Sequence, residues 1–324
     1  MKAKARAHTN IALVKYWGKA DKALKLPLMS SISMTLDAFY TDTEFNHSQD
    51  LEQDAFYLNE IKQTRQQSQR VFNYINELRK KFNLDQNEHF EIRSYNHVPT
   101  SAGLASSASA FAALAASFAK SYDLNLDKTA LSRLARLGSG SATRSIFGGF
   151  VEWQKGTNDE TSFAKAIDEN PDWDLHMLAV EVNTGQKKIS SSIGMQWAQK
   201  SPFYQTWLNE NQSEINALKK AIAKHDFTNL GEISEQSANE MHAVNLSANP
   251  GFTYFEPDTL ELINLVHTLR QQGIECYYTI DAGPNVKILC TLRNSKEIIS
   301  AIHNLLGNVK IVNASFGPGV QYLD

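Results

Sequence analysis

The run PTSAGLASSAS, Pro99 to Ser109, sets a small-residue loop at the start of an alanine-rich helix, and that arrangement suits an anion cradle. Gly103 lets backbone approach a ligand closely, and Ser106 and Ser107 add hydroxyls. The helix that follows offers unpaired N–H groups and the positive end of its dipole. Each such helix-end interaction stabilises an anion by only about 0.3–1 kcal/mol at an exposed site, so a polyphosphate needs several donors together. The loop is neither of the common nucleotide loops. Gly18 and Lys19 form the only Gly-Lys pair, but Ala20 follows them, and Leu13 stands where G-x4-G-K-[ST] has its first glycine. Gly138 and Gly140 would open G-x-G-x-x-G, but Thr143 occupies its third glycine position. No H-R-D or D-F-G signature of a protein kinase is present.

Further constellations could cooperate with this loop. In NIALVKYWGK, Asn10 to Lys19, strand alternation puts Ile11, Leu13, Lys15 and Trp17 on one face and Ala12, Val14 and Tyr16 on the other. A lysine ending an apolar face either escapes to solvent by its flexible stem or, with Tyr16 and Lys19, meets a phosphorylated substrate at the strand end. GSGSATRSIFGGF, Gly138 to Phe150, adds Ser139, Ser141 and Arg144, whose planar fork binds two phosphate oxygens at once unless it serves a surface salt bridge. KKISSSIGM, Lys187 to Met195, places Ser190, Ser191 and Ser192 after a predicted strand, as a binding turn or a solvated one. In DAGPN, Asp281 to Asn285, a carboxylate leads into a Gly-Pro turn between two strands, where it could also simply start the turn.

In their order, NIALVKYWGK, PTSAGLASSAS, GSGSATRSIFGGFVEW, the serine turn before Gly194 and Met195, DAGPN and the closing FGPG resemble the mevalonate diphosphate decarboxylase family. That family lies within the superfamily of small-molecule kinases that includes galactokinase, homoserine kinase and mevalonate kinase. PTSAGLASSAS indicates the superfamily, KYWGK with GSGSATRS the decarboxylase branch, and the resemblance runs nearly end to end.

The resemblance implies an ATP-dependent lyase that phosphorylates the tertiary 3-hydroxyl of mevalonate 5-diphosphate, then eliminates phosphate with carbon dioxide to leave isopentenyl diphosphate. It implies that Asp281 is the catalytic aspartate, that Arg144 serves the substrate carboxylate or the departing phosphate, and that Lys15 supports the cluster. It assigns Tyr16, Lys19, Ser139 and Ser191 to the substrate diphosphate, with Asn10 at the edge. Ser106 and Ser107 would meet ATP phosphates or their Mg2+, Gly103 would give close backbone approach, and Ser94 would contact the nucleotide. ATP and Mg2+ are the implied cofactors, and the implied assembly is a homodimer. Ser192 stands where some bacterial relatives have arginine, and Thr143 and Phe147 replace residues often seen around Arg144. The alternatives are a related mevalonate or phosphomevalonate kinase or decarboxylase acting on a less phosphorylated substrate, and a non-catalytic metabolite sensor.

These residues need a scaffold. With 324 residues, 42% of them hydrophobic, the chain can bury a sizeable core and is expected to form two joined domains. Thirty-two basic against 35 acidic residues leave a net charge of −3, which offers no general attraction to nucleic acid or an anionic membrane. Ile11 to Val14 is too short an apolar run for a signal peptide, and no other run approaches a membrane span. Cys276 and Cys290 form no disulfide framework and fit a reducing, cytoplasmic setting. Nine histidines show no H-E-x-x-H, so a protein-built zinc site is not expected, whereas magnesium needs fewer protein ligands and arrives with phosphate.

Strands are expected at 10–16, 90–95, 176–183, 276–280, 286–292 and 310–312. Helices are expected at 63–82, 104–120, 131–137, 214–224, 230–244, 258–272 and 296–306. The polar, acidic stretch 154–174 reads as a connection, dividing an ATP-binding domain, 1–174, from a second domain, 175–324. Mixed helices and antiparallel strands predict α+β layers. The resemblance makes the first domain mixed α/β and the second ferredoxin-like α+β, with the active site in the cleft between them.

Overall fold

A computed structural model of the protein describes residues 2–98, 106–183, 185 and 188–324. The alternating segment at the N-terminus is longer than 10–16: β1 (Lys2–Val14) pairs antiparallel with β2 (Ser31–Ser48) along nearly its whole length. Strand β2 opens with polar–apolar alternation, Ser31-Ile32-Ser33-Met34-Thr35-Leu36, yet its polar face is buried as well as its apolar one. Ile32, Met34 and Leu36 enter an apolar cluster, and the hydroxyls of Ser31, Thr35, Thr41 and Thr43 bond buried partners on the other face.

The first half continues with β3 (Ala55–Leu58), β4 (Ile61–Lys62), α1 (Arg65–Lys81), β5 (His89–Asn96), α2 (Ser106–Ser121) and α3 (Lys128–Gly138). A 3-10 turn (Gly140–Ile146), β6 (Phe150–Trp153) and β7 (Ala164–Asp168) complete it. Thr64 and Gln67 form a capping box that starts α1, consistent with the amphipathic pattern read there. Helix α2 is buried on nearly every side, and Ala108, Ala112, Ala115, Ala116 and Ala119 let it lie closely on β1 and β2. The stretch 154–174 is not merely a connection, since β7 within it pairs with β6.

Beyond it come β8 (His176–Glu181), α4 (Ser191–Ala198), α5 (Tyr204–Ala223), α6 (Phe227–Leu246) and α7 (Pro257–Gln271), then β9 (Tyr277–Ile280), β10 (Val286–Cys290), α8 (Leu292–Leu306), β11 (Lys310–Ala314) and β12 (Gln321–Leu323). The first sheet runs β12-β1-β2-β5-β3-β4, with β6 on β2 and β7 on β6; the second runs β11-β8-β10-β9, antiparallel throughout. Omitting α4–α6, the second unit has the β-α-β-β-α-β order of a ferredoxin-like fold, and α7 and α8 cover one sheet face. The architecture is α+β in two units. The end of the chain crosses back, because β12 pairs with β1.

The units share a core. Ile11 and Leu13 of β1 and Met34 of β2 cluster with Met177 and Ala179 of β8, Leu218 of α5 and Leu230 of α6. Burial of this apolar surface, stabilising by about 25 cal/mol per Å², sets how the two sheets face one another across the cleft. Helix α6 is central to that contact, and Gly231 lets it approach β9: a Cβ at 231 would stand 2.0 Å from Tyr277 Cδ2. Gly231→Ala is therefore expected to destabilise the protein by about 1–3 kcal/mol through overpacking. An unchanged urea midpoint would show that α6 is free to shift.

Candidate active site

Where β1 ends, the chain turns into the cleft rather than continuing as strand. Lys15 N donates to Ser237 Oγ on α6 at 3.1 Å, Trp17 Nε1 donates to Asn245 Oδ1 at 2.8 Å, and the Tyr204 hydroxyl donates to Trp17 O at 2.5 Å. Gly18 adopts φ of 141°, and a Cβ there would meet the Tyr204 hydroxyl at 2.0 Å, so this position requires glycine. These contacts aim Lys15, Tyr16 and Lys19 into a cleft of about 600 Å³.

Lys15 is 1% exposed, and its ammonium donates to Ala12 O at 2.9 Å and to Asp281 Oδ1 at 2.7 Å. Burial pushes its pKa down, and the Asp281 carboxylate opposes that shift. Asp281 follows β9 and opens the turn to β10, where Gly283 N donates to its carbonyl at 2.8 Å. The aspartate thus starts its turn through the backbone, while its carboxylate pairs with Lys15. Behind it lies buried His242 of α6, whose Nε2–H donates to Ile280 O at 3.3 Å. Burial, then the Lys15 charge, lowers the His242 pKa to about 3, so the ring is neutral at ordinary pH.

Arg144 stands on the 3-10 turn, buried, with Nε donating to Asn10 Oδ1 at 3.0 Å and Nη1 to Ser31 Oγ at 2.7 Å. Asn10 spends its amide N–H groups on Ser141 O and Ser145 Oγ, so it fixes the guanidinium from behind. Burial lowers the Arg144 pKa to about 10, which leaves it a cation. The Tyr16 hydroxyl is buried with no hydrogen-bond partner among the described residues, and burial raises its pKa, so it faces the cleft as a protonated phenol. Ser139 Oγ lies 3.3 Å from Ser107 Oγ and 3.4 Å from Ser141 Oγ, linking the start of α2 to the 3-10 turn.

The serine run is not a turn but the start of a helix: Ser190 caps α4 by accepting from Ile193 N, and Ser190, Ser191 and Ser192 line the cleft. The structure thus brings Asn10, Lys15, Tyr16, Lys19, Ser106, Ser107, Ser139, Arg144, Ser191 and Asp281 to one cavity wall or another. It does not bring Ser94 there. Ser94 is buried on β5, its hydroxyl 2.7 Å from Thr43 Oγ1. Gly103 and Lys187 lie outside the described residues.

Two cations on the wall escape sequence reading. Lys25 donates to Leu137 O and, at 2.7 Å, to Gly138 O, and Arg70 Nη2 donates to Gly138 O at 3.0 Å. Burial, then neighbouring Arg70 and Lys19, lowers the Lys25 pKa to about 8. Neither residue belongs to a motif; Arg70 looks like an ordinary polar position of α1.

Five cations, Lys15, Lys19, Lys25, Arg70 and Arg144, line the cleft against one carboxylate, Asp281, among the described residues. With the hydroxyls of Ser106 and Ser107 at the first turn of α2, that donor set fits a polyphosphate. No group of three His, Cys, Asp or Glu side chains that could hold a metal ion occurs among the described residues. A divalent ion would therefore be held chiefly by phosphate oxygens and water, with Ser106 or Ser107 the hydroxyls to meet it.

Residues 7–164 match the family described as diphosphomevalonate decarboxylase-like N-terminal domain, and residues 177–318 match the mevalonate 5-diphosphate decarboxylase C-terminal domain. The diphosphomevalonate decarboxylase of Candida albicans is 36% identical over 352 aligned positions, covering 98% of this chain and 97% of that protein. The crystal structure of mevalonate diphosphate decarboxylase from Staphylococcus aureus aligns with a TM-score of 0.95 at 45% identity, covering 100% of this chain and 98% of the other. A solved complex of MDDEF with MVAPP, AMPPCP and magnesium aligns with a TM-score of 0.94 at 45% identity, covering 100% and 99%.

The His242 environment carries a stability prediction. Its folded pKa, about 3, lies below the ordinary value of 6.5, so its contribution is present above pH 6.5 and is lost as pH falls toward 3. His242→Gln is expected to remove about 2–3 kcal/mol of the stability loss between about pH 6.5 and 4.5. Urea unfolding at the two pH values measures it, and equal losses in both proteins would assign the acid sensitivity elsewhere.

Proposed function

The chain belongs to the diphosphomevalonate decarboxylase family, ATP-dependent decarboxylases of mevalonate 5-diphosphate, and we propose how its own residues divide that reaction. The observation that carries the reading is the cationic cleft, in which Asp281, the lining carboxylate, is paired with buried Lys15. Such a cleft stabilises a substrate and ATP that together bring a carboxylate and two polyphosphates.

Asp281 orients the 3-hydroxyl. A carboxylate is far too weak a base to remove an alcohol proton beforehand, so the proton moves to it as the oxygen attacks the γ-phosphorus. The new O–P bond forms, the bond from γ-phosphorus to the β-bridging oxygen breaks, and ADP leaves. In the second half the bond from C2 to the carboxyl carbon breaks and its electron pair forms the alkene. The C3–O bond breaks with its pair going to phosphate. The products are ADP, phosphate, carbon dioxide and isopentenyl diphosphate.

Negative charge disappears from the carboxylate and accumulates on the phosphate during that step. A cation held on the carboxylate would favour the ground state, whereas Arg144, locked by Asn10 and Ser31, favours the transition state by meeting the departing phosphate. Tyr16, Lys19, Ser139 and Ser191 hold the substrate diphosphate, and Ser106 and Ser107, with Gly103, hold the ATP phosphates. Magnesium, when bound, neutralises charge on those phosphates. Ser192 supplies a hydroxyl where an arginine would add a cation, which makes the phosphorylation state of the substrate the informative variable. The cytoplasm as compartment and a homodimer as assembly belong to the same reading; free Cys276 and Cys290 support the first, and no described helix is long and apolar enough to cross a membrane.

Purified protein given ATP, magnesium and mevalonate 5-diphosphate is expected to release ADP, phosphate and carbon dioxide in equal amounts. Substitution of mevalonate or its monophosphate should lower kcat/KM. ADP with a stable phosphorylated product would instead identify a kinase. Asp281→Asn should keep affinity for both ligands while losing most turnover, and retained turnover would remove Asp281 from the role given it. Lys19→Ala or Ser191→Ala should raise KM more than it lowers kcat, because those groups lie on the diphosphate rather than the reacting carbon.

A further inference from the structure

Strand β10 reads Val286-Lys287-Ile288-Leu289-Cys290, and alternation puts Lys287 on the face opposite to Val286, Ile288 and Cys290. Those three pack with Leu262, Val266 and Ile298 under α7 and α8, while Leu289 joins the core shared with β1 and β2. Lys287 therefore occupies the inner face of a strand flanked by β8 and β9, at 0% exposure. An ammonium in that position is retained only against a compensating charge. Its Nζ donates to Asn285 O at 3.1 Å and stands 3.7 Å from Asp281 Oδ2, while Lys15 Nζ is 2.7 Å from Oδ1 of the same carboxylate.

We infer that Lys287 is a positioning residue for Asp281, gripping the second carboxylate oxygen so that, with Lys15 on the first, one orientation of the carboxylate faces the substrate hydroxyl. The inference rests on the role proposed for Asp281. Its basis is geometric. Lys15 comes from the end of β1 and Lys287 from the second sheet, so the two ammoniums reach Asp281 from different units of the fold. The side chain of Asp281 is partly open to the cleft that Arg144 also lines, so its orientation there bears on what the carboxylate meets. Among the described residues, the titratable groups facing Asp281 are Lys15 after β1, Arg144 from the 3-10 turn, neutral His242 from α6 and Lys287 from β10. Of the three cations, Arg144 is tied to Asn10 and Ser31, whereas Lys15 and Lys287 each stand within ion-pair distance of a carboxylate oxygen.

Two measurements on the full-length protein test this. Carbon-13 NMR of the resting protein, labelled at aspartate carboxyls, reads Asp281 with no assumption about the reaction. In Lys287→Met its titration midpoint should move up by about one pH unit, because a cation near the ionised form is lost. In the turnover assay the same variant should lose about 10- to 100-fold in kcat with both KM values within about twofold, and the acid limb of its kcat profile should move up with the NMR midpoint. An unmoved midpoint, or a fall in kcat with the acid limb in its original place, would reduce Lys287 to a packing residue and overturn the inference. If Lys287→Met is too unstable to assay, Lys287→Arg keeps the cation: a wild-type midpoint supports the grip and a raised one overturns it. Wild-type protein that releases no carbon dioxide would instead remove the functional reading, an outcome the NMR midpoint does not share.

Discussion

The ion pair between Lys15 and Asp281 is the interaction on which the rest of the site depends. It joins the end of the first strand to a turn of the second sheet, 266 positions later in the chain, with the lysine buried. Removing two such groups from water costs several kcal/mol each, and mutual attraction offsets that cost only when geometry is close and remaining donors are satisfied. Here Ala12 O takes a second Lys15 proton and Ser237 fixes the Lys15 backbone. The pair contributes little to net stability on these grounds. Its value is position: the carboxylate stands at the cleft already charged and already aimed.

That position is in turn set by apolar packing remote from any ligand. Strands β1 and β2, strand β8 and helices α5 and α6 meet in one cluster, so the distance between the two units is fixed by close-packed side chains rather than by polar contacts across the cleft. Packing of that density resists small displacements. Buried Glu152 of β6 adds a tie at 2.6 Å from the partly exposed Lys219 of α5. The cleft is consequently a rigid frame with an excess of positive charge. Groups such as the Tyr16 hydroxyl, without a partner among the described residues, are held at the cleft before an anion arrives, which is how preorganised donors favour developing charge without reorganising.

Much of the fold is legible in sequence where periodicity and local chemistry agree. Helix α1 shows both an amphipathic face and a Thr64–Gln67 cap, and the strands flanking Asp281 are apolar runs broken by Gly283-Pro284. The readings fall short where burial is two-sided or polar. Strand β2 hides a buried face behind serine and threonine. Strand β7 hides in an acidic stretch, because its pairing with β6 is a tertiary event. Helix α5 begins at Tyr204, ten residues before its amphipathic stretch becomes visible at Glu214. The serines before Met195 look like a turn because serine favours caps and turns alike, and Ser190 proves to be a cap.

The sequence alone determined the chemistry on offer: a serine-rich anion loop, an arginine on a glycine-serine segment, an aspartate before a Gly-Pro turn, and lysines at a strand end. Those are local properties, carried by residue type and spacing within about ten positions. Tertiary structure alone decided which of them meet. It withheld Ser94 from the cleft by pairing it with Thr43, recruited Lys25 and Arg70 from unremarkable positions, and set Lys287 against the far oxygen of Asp281. The physical reason is that a charge buried in a protein takes its partner from whatever the packed core brings within a few ångströms, and that distance is set by the whole fold rather than by neighbours in the chain.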